Sequence, residues 1–331
     1  MKIRKTSLLA ATVVAALAAF SLATALADSN SINFEPPTYT LGSPNGQDGW
    51  VALGSAGMGC APYDHAIAST PSFPGAPASF GSQSLRVSNA VTSGCFGDQT
   101  FSKPLNNEAG EPTALNGGMS GGTRQSNYSA EWTFASTTPG AQQPGLSVVV
   151  SPDRGDGARM SWIQMTDTPT GLAVNFYDYR DNAPFGSNSN QAAGCDVEDD
   201  FFFTPVATGL ARNVPHTVKV VMAFVPGPRN DVVQVYVDGV LKHTGTSWED
   251  YFRWCEATNE SRTVDSMLFR TGGDPAPSTY GFGFLFDGLK QASGNAPATK
   301  EQCKGDGWQS FAFPRTFKNQ GDCIQYFNTG K

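Results

Sequence analysis

The chain has 331 residues, of which 36 are glycine and 22 are proline, and only 15% are charged. Without a long amphipathic helical pattern, this composition favours many short strands joined by turns. With a net charge of −7 at pH 7, the protein lacks the broad positive field that binding to nucleic acid phosphates requires. The same charge disfavours binding to anionic membranes. We therefore expect an all-β protein that does not bind nucleic acid.

Residues 1–27 have the pattern of a secretory signal peptide. Three basic residues precede an apolar run: Lys2, Arg4 and Lys5. The run ends in Ala25-Leu26-Ala27, an A-x-A cleavage site, and the alternative of a membrane anchor is disfavoured because Ser21 and Thr24 interrupt it. Cleavage would change the net charge from −7 to −10. We predict a secreted, extracellular or cell-surface protein, free of the membrane, that begins near Asp28.

Residues 214–254 form the most informative stretch of the chain. His216 to Val225 and Asp231 to Val237 are rich in β-branched residues, and the intervening PGPRN is made of turn residues. Asp238-Gly239 then lies between Val235-Tyr236-Val237 and Val240-Leu241-Lys242. An Asp-Gly pair between two apolar runs is the strongest short hairpin signal. Three antiparallel strands and a compact aromatic turn, WEDYFRW, are predicted.

The segments HTVKVVMAFVPGPRNDVVQVYVDG and TGTSWEDYFRW resemble the matching part of concanavalin A-like jelly rolls, the group of laminin G-like domains, legume-type lectins and laminarinase-type glycosidases. The likeness is greatest to secreted bacterial proteins of this type. It extends to FEPPTYTLGSPNGQDGW, DSMLFRTGG and FGFLFDGL, and so covers Ser31 to Gln291. It implies an all-β, two-sheet antiparallel jelly-roll sandwich of about a dozen strands, but no single activity, because this fold hosts lectins, hydrolases and lyases alike.

The chain divides by composition into four parts. After the signal peptide of residues 1–27, a sandwich domain of residues 28–292 is followed by a linker, SGNAPAT, of residues 293–299. Residues 300–331 contain CKGDGW and FKNQGDC and resemble a cysteine-bracketed segment at the ends of secreted actinobacterial proteins. We expect this tail to be a small unit held by its own disulfide.

Six cysteines suit an exported protein with oxidised thiols. Their order favours pairing Cys60 with Cys95, Cys195 with Cys255, and Cys303 with Cys323, although fifteen pairings exist. Metal ligation is the alternative, but the chain has no CxxC spacing and no Cys/His cluster.

The hairpin of residues 159–179 provides the candidate binding face. Leu172, Val174 and Phe176 are expected on the core side of the second strand. The side chains that alternate with them along the strand then point outward. The predicted ligand-binding set combines aromatic, amide and guanidinium groups: Trp162, Gln164, Asn175, Tyr177, Tyr179 and Arg180. Aromatic rings and amides suit a neutral sugar, whereas a uronic-acid polymer would need a local arginine or lysine cluster. The alternative is that these aromatics only cover the sheet or lie under a loop.

The aromatic turn of residues 248–254 is expected to pack against the core rather than to bind a ligand. Ser247 and Asp250 have the spacing of a capping box, so WEDYFRW is predicted to begin a short helical turn. The aromatic residues Trp248 and Trp254 are then expected to contact the core.

Catalytic signals are weaker. The E-x-D-x-E pattern of retaining laminarinase-type glycosidases is absent, and adjacent Glu249-Asp250 would point to opposite faces of a strand. A polysaccharide lyase would need a base and groups that neutralise a uronate, and Tyr177, Arg180 and Gln164 are the candidates. These patterns leave open whether the protein is an enzyme.

No cofactor is expected, with calcium as the alternative. Hard oxygen ligands cluster in one polar loop: Asp196, Glu198, Asp199 and Asp200. No EF-hand pattern is present, and such clusters are more often solvated surface.

The leading functional hypothesis is a secreted protein that recognises an extracellular or cell-wall polysaccharide. A lyase or glycoside hydrolase on the same fold is the second, and a non-catalytic structural or adhesion domain is the third.

Overall fold

The computed structural model describes residues 28–52, 63–91, 98–111, 120, 122–180, 201–255, 262–311 and 313–329, with the backbone alone at 254 and 255. Two antiparallel sheets dominate these residues. The predicted signal peptide and the cysteines at 60, 95 and 195 lie outside the described residues, as does the side chain of Cys255. The two disulfides predicted for these four cysteines therefore stay predictions.

The first sheet has eight strands, in the order β14-β13-β12-β7-β17-β4-β3, with β1 paired to β17. Its strands come from the whole length of the sandwich: β1 (Asp28–Ile32), β3 (His65–Ser69), β4 (Gln83–Val87), β7 (Asn127–Ser136), β12 (His216–Ala223), β13 (Val232–Val237), β14 (Val240–Gly245) and β17 (Phe284–Gly294).

The second sheet has seven strands, in the order β11-β10-β9-β8-β16-β5-β2. These strands are β2 (Val51–Ala52), β5 (Gln99–Phe101), β8 (Ser147–Asp153), β9 (Trp162–Thr168), β10 (Gly171–Tyr179), β11 (Phe201–Leu210) and β16 (Ser266–Thr271). A separate two-stranded pair joins β6 (Ala109–Gly110) to β15 (Thr263–Val264).

One continuous core lies between the two sheets, because alternate residues of each strand point inward. Phe134 and Phe286 from the first sheet and Phe176 and Phe269 from the second are fully buried in it, together with Trp50. The predicted two-sheet antiparallel jelly-roll sandwich is confirmed, although its strands are more numerous than the dozen expected.

The three strands predicted within residues 214–254 are confirmed as β12, β13 and β14 at one end of the first sheet. Asp238 and Gly239 connect β13 to β14, and both have positive φ, at 50° and 77°. This is the backbone form that a tight Asp-Gly hairpin requires. The Asp238 carboxylate also accepts hydrogen bonds from the backbone N–H of Thr217 at 2.9 Å and from the His216 ring at 2.8 Å.

The C-terminal tail has its own small core. The predicted disulfide between Cys303 and Cys323 is present, with the two Cα atoms 5.7 Å apart, and Phe317 packs against it. The tail ends in α1 (Gln320–Thr329). No helix within the described ranges is both long and apolar enough to cross a membrane.

Two residues of the predicted linker lie in a strand of the sandwich. Ser293 and Gly294 are the last residues of β17, and the buried Ser293 hydroxyl donates to the carbonyl oxygen of Asn107 at 2.6 Å. Asn295 also belongs to the sandwich, since its side-chain oxygen accepts the N–H of Ser126 at 2.9 Å. The small polar residues suggested a linker, but strand pairing across β17 includes the first of them.

Candidate functional site

The face of the second sheet that points away from the core, here called the outer face, carries the predicted binding residues of β9 and β10. Inward-pointing Ile163, Met165 and Phe176 are fully buried, as alternation predicts. Trp162 and Tyr177 stand opposite each other on neighbouring strands and are only partly buried. The predicted assignment of core and outer sides is correct for these positions.

A row of mainly polar side chains crosses the outer face. Strand register aligns one residue from each of five adjacent strands: Gln99, Arg270, Val149, Gln164 and Asn175. Residues that face each other across antiparallel strands share one face of the sheet. Amide and guanidinium groups therefore extend from β5 to β10 along a single line.

Gln164 is the centre of a hydrogen-bond network on this face. Its amide nitrogen donates to Ser147 Oγ at 2.8 Å. Its amide oxygen accepts from Asn175 Nδ2 at 3.3 Å and from the Tyr177 hydroxyl at 3.4 Å. Gln164 and Tyr177 are half-buried, whereas Asn175 is buried beneath its neighbours. Ligand hydroxyls can therefore reach Gln164 and Tyr177 more readily than Asn175.

The aromatic turn of residues 247–255 packs onto one end of the outer face. The Trp248 ring lies 5.8 Å from the Trp162 ring at an angle of 12°, and its Nε1 donates to the Tyr177 carbonyl oxygen at 2.9 Å. Ser247 caps the turn by accepting the N–H of Glu249 at 3.1 Å. The short helical turn and the packing role of Trp248 are thus confirmed, but the turn adjoins the predicted face instead of lying apart from it.

Tyr179 is not exposed, contrary to the prediction. It is only 1% exposed, and its ring contacts Phe201 at 5.0 Å and Tyr251 at 5.4 Å. Alternation places it on the outer side of β10, but the aromatic turn and β11 cover that end of the strand. Tyr179 is therefore a packing residue, and the open part of the face lies around Gln164 and Tyr177.

Arg180 lies away from this open part. Its guanidinium pairs with the buried Asp178 at 3.1 Å and helps to line a cavity of about 280 Å³ with Arg229, Thr246 and Glu249. Gln164 and Tyr177 do not line that cavity. The structure therefore brings together Gln164 and Tyr177 of the lyase candidates but not Arg180.

The protonation state of Tyr177 follows from its burial. Burial raises the pKa of its hydroxyl above the ordinary value, so the phenol is protonated at neutral pH. In this state the hydroxyl donates to Gln164, as its geometry shows. Its arrangement suits hydrogen bonding to a ligand rather than proton abstraction.

Two arginines that the sequence reasoning did not select also lie on the outer face. The guanidinium carbon of Arg159 is 5.2 Å from the centre of the Trp162 ring, and that of Arg270 is 5.7 Å from it. We call Arg159 and Arg270 the outer-face pair. Arg159 begins the hairpin segment that was singled out, but Arg270 is more than a hundred residues away in sequence, and only strand register brings it to β8 and β9.

The predicted calcium ligands at 196 and 198–200 lie outside the described residues. A different group of carboxylates, Glu111, Asp231 and Glu249, places one oxygen each within 4.8 Å of the others, and we call it the acidic cluster. Arg253 binds both glutamates, and Arg262 binds Glu111 at 3.0 Å. The cluster's own arginines therefore supply its counter-charge.

No protein-family model matches the chain, and no curated protein matches it. One alginate lyase structure is similar at 15% identity and a TM-score of 0.44, over 81% of this chain and 97% of that one. An alginate lyase of Pseudomonas aeruginosa has 11% identity and a TM-score of 0.36, over 63% and 82%. The galectin LEC-6 of Caenorhabditis elegans has 9% identity and a TM-score of 0.25, over 60% and 97%. Values this low carry no inference about activity or ligand.

Proposed function

We propose that this protein is exported and binds a polysaccharide through the open part of the outer face. The observation that carries the proposal is the contact among three partly exposed groups: the Trp162 ring, the Tyr177 ring and hydroxyl, and the Gln164 amide. Concave or flat sites for polar ligands combine such apolar rings with a few placed hydrogen-bonding groups.

The chemistry of these groups matches that of a sugar ring. A pyranose has apolar C–H faces that pack on aromatic rings, and hydroxyl groups around its edge. An amide both donates and accepts hydrogen bonds, and so does a phenol, so each can satisfy hydroxyls in either orientation. The Trp162 and Tyr177 rings are 6.2 Å apart at an angle of 66°.

Export is supported by two features of the chain. The first 27 residues have the order of basic, apolar and small residues that secretory signals show. The disulfide between Cys303 and Cys323 forms readily in an oxidising compartment and is rare in the cytosol. A polysaccharide outside the cell is therefore the ligand class we propose.

The test is retention of the purified protein on insoluble or immobilised polysaccharides, both neutral and acidic. Tyr177→Ala should weaken binding about fivefold to tenfold, because it removes one aromatic contact and one hydroxyl. The matched control is Tyr236→Ala, which makes the same change on the first sheet, where Tyr236 is also partly buried. If both variants bind as the parent does, or if no polysaccharide retains the parent, the proposal is wrong.

The same polysaccharides distinguish a binding protein from an enzyme. Incubation with the protein should release neither reducing ends nor the ultraviolet-absorbing unsaturated uronates of a lyase, because the Tyr177 hydroxyl is protonated and Arg180 is remote from it. Sustained product formation that Tyr177→Phe abolishes would replace the binding proposal with the lyase hypothesis.

A further inference from the structure

We infer that the outer-face pair, Arg159 and Arg270, binds a carboxylate carried by the polysaccharide, so that the ligand is a uronic-acid polymer. This inference rests on the proposed function and adds the chemical class of the ligand to it. The pair adjoins the groups proposed to contact the sugar: both guanidiniums lie over the Trp162 ring, and Arg270 shares a transverse row with Gln164.

The first argument is the balance of charge around the pair. Arg270 Nε is 3.4 Å from the carboxylate of Asp98, which also accepts a hydrogen bond from the Thr271 hydroxyl. Arg159 forms no ion pair with any residue in the described ranges, and its Nη1 atom is buried without a hydrogen-bond partner there. Asp98 and Asp153 are thus the nearby carboxylates, but Arg159 makes an ion pair with neither of them.

The second argument is mutual repulsion. Burial, followed by the charge of Arg270, lowers the pKa of Arg159 to about 10, while Asp153 and Asp98 act in the opposite direction. Arg159 still remains protonated at neutral pH. An anion placed beside both guanidiniums would relieve the repulsion and form charge-assisted hydrogen bonds, which are among the stronger polar contacts in proteins.

The third argument is that the chain holds Arg159 in place. One carboxylate oxygen of Asp153 accepts the backbone N–H groups of Gly155, Asp156 and Gly157 at 2.6 to 3.1 Å. Gly157 has a φ of +99°, and a Cβ there would approach the Gln99 side chain to 3.0 Å. This tight loop returns the chain to the sheet at Arg159, so the guanidinium is positioned before a ligand arrives.

The experiment compares polymers whose carboxylates are either free or esterified. Polygalacturonate and alginate are each paired with an esterified form, methyl-esterified pectin and propylene glycol alginate, and affinities are measured at fixed, low salt. The parent protein should bind at least one acidic polymer roughly tenfold more tightly than its ester, the value of one good charge-assisted contact. Equal affinity for both members of each pair would overturn the inference, and this comparison needs no variant.

The variant arm assigns the effect to the pair. Arg159→Gln should remove most of the preference for the acidic polymer, whereas Lys290→Gln, which removes an equal charge from an exposed lysine on the first sheet, should leave it intact. Equal losses in both variants would show general charge attraction and would contradict the assignment. If the parent and Arg159→Gln bind the esterified polymers alike and show no acidic preference, polysaccharide binding stands and the uronate inference fails. If nothing is retained, the proposed function itself fails.

Discussion

Two pairs of arginines in this molecule differ in how their charge is balanced. Arg253 and Arg262 belong to the acidic cluster region: both bind Glu111, and Arg253 also binds Glu249 at 3.1 Å. The carboxylates are almost fully buried, and both arginines are largely so. Each positive charge in this region has a carboxylate beside it.

In the outer-face pair, one arginine makes no ion pair within the described part of the chain. Arg270 is near Asp98, and Arg159 has no ion pair among the described residues. Their shared contact is the Trp162 ring, whose π face attracts a cation less strongly than a buried carboxylate does. Arginines that stabilise a fold are expected to be neutralised by it. Two arginines that lie near each other on a sheet face, one of them outside any ion pair of the described residues, are better explained by a ligand that brings a negative charge.

The largest expected effect on stability comes from removing Arg253, one of the two arginines that bind buried glutamates. Arg253→Gln leaves Glu111 and Glu249 with less counter-charge in a buried site, and should lower the free energy of unfolding by about 3 to 5 kcal/mol. Denaturant titration measures this loss. The control Lys290→Gln removes an exposed lysine paired with the partly exposed Glu131 and should change stability by about 1 kcal/mol or less. A comparably small effect for Arg253→Gln would remove the distinction between the two pairs.

The pH dependence of stability provides an intermediate effect. Burial raises the pKa of Glu249 and of Asp287 from 4.5 and 3.8, respectively, to about 7. The folded protein therefore holds more protons than the unfolded chain between these values. The stability from these groups is fully present below their unfolded pKa and is lost as the pH rises through about 7. The free energy of unfolding should thus fall between about pH 5 and about pH 8, by at most about 1.4 kcal/mol per pH unit for each group.

Asp287→Asn sharpens this prediction. Asp287 Oδ1 is buried without a hydrogen-bond partner among the described residues, so an amide can replace the protonated carboxyl there. The variant should show a shallower decline with pH and should be at least as stable as the parent at about pH 8. Stability that rises over this range in the parent protein would contradict the assignment of raised pKa values.

The sandwich could be predicted because its signals are local. An Asp-Gly pair between apolar runs predicted the β13–β14 hairpin, and alternation along β10 correctly placed Val174 and Phe176 in the core. The disulfide of the tail followed from two cysteines that bracket one short segment.

The site could be predicted only in part, because alternation identifies the side of a sheet but not what covers it. Tyr179 points outward as expected, yet Phe201 and Tyr251 bury it. The position of Arg270 in the same row as Gln164, two strands away, depends on the pairing of β16, β8 and β9, which no short pattern encodes. A uronate ligand was expected to need a local cluster of arginine or lysine residues, and strand register is what brings Arg270 to the same ring as Arg159.

The central claim is that the outer-face pair is arranged for a ligand. The free energy of unfolding of Arg159→Gln, measured by denaturant titration, tests this claim most directly, and its expected change is the smallest. If the outer-face pair is arranged for a ligand, removing Arg159 relieves its repulsion with Arg270 and leaves Asp98 paired. The account predicts unchanged stability or a gain of up to about 1 kcal/mol, together with the loss of acidic-polymer preference. A loss of more than about 2 kcal/mol would contradict it, because Arg159 would then stabilise the fold as Arg253 does.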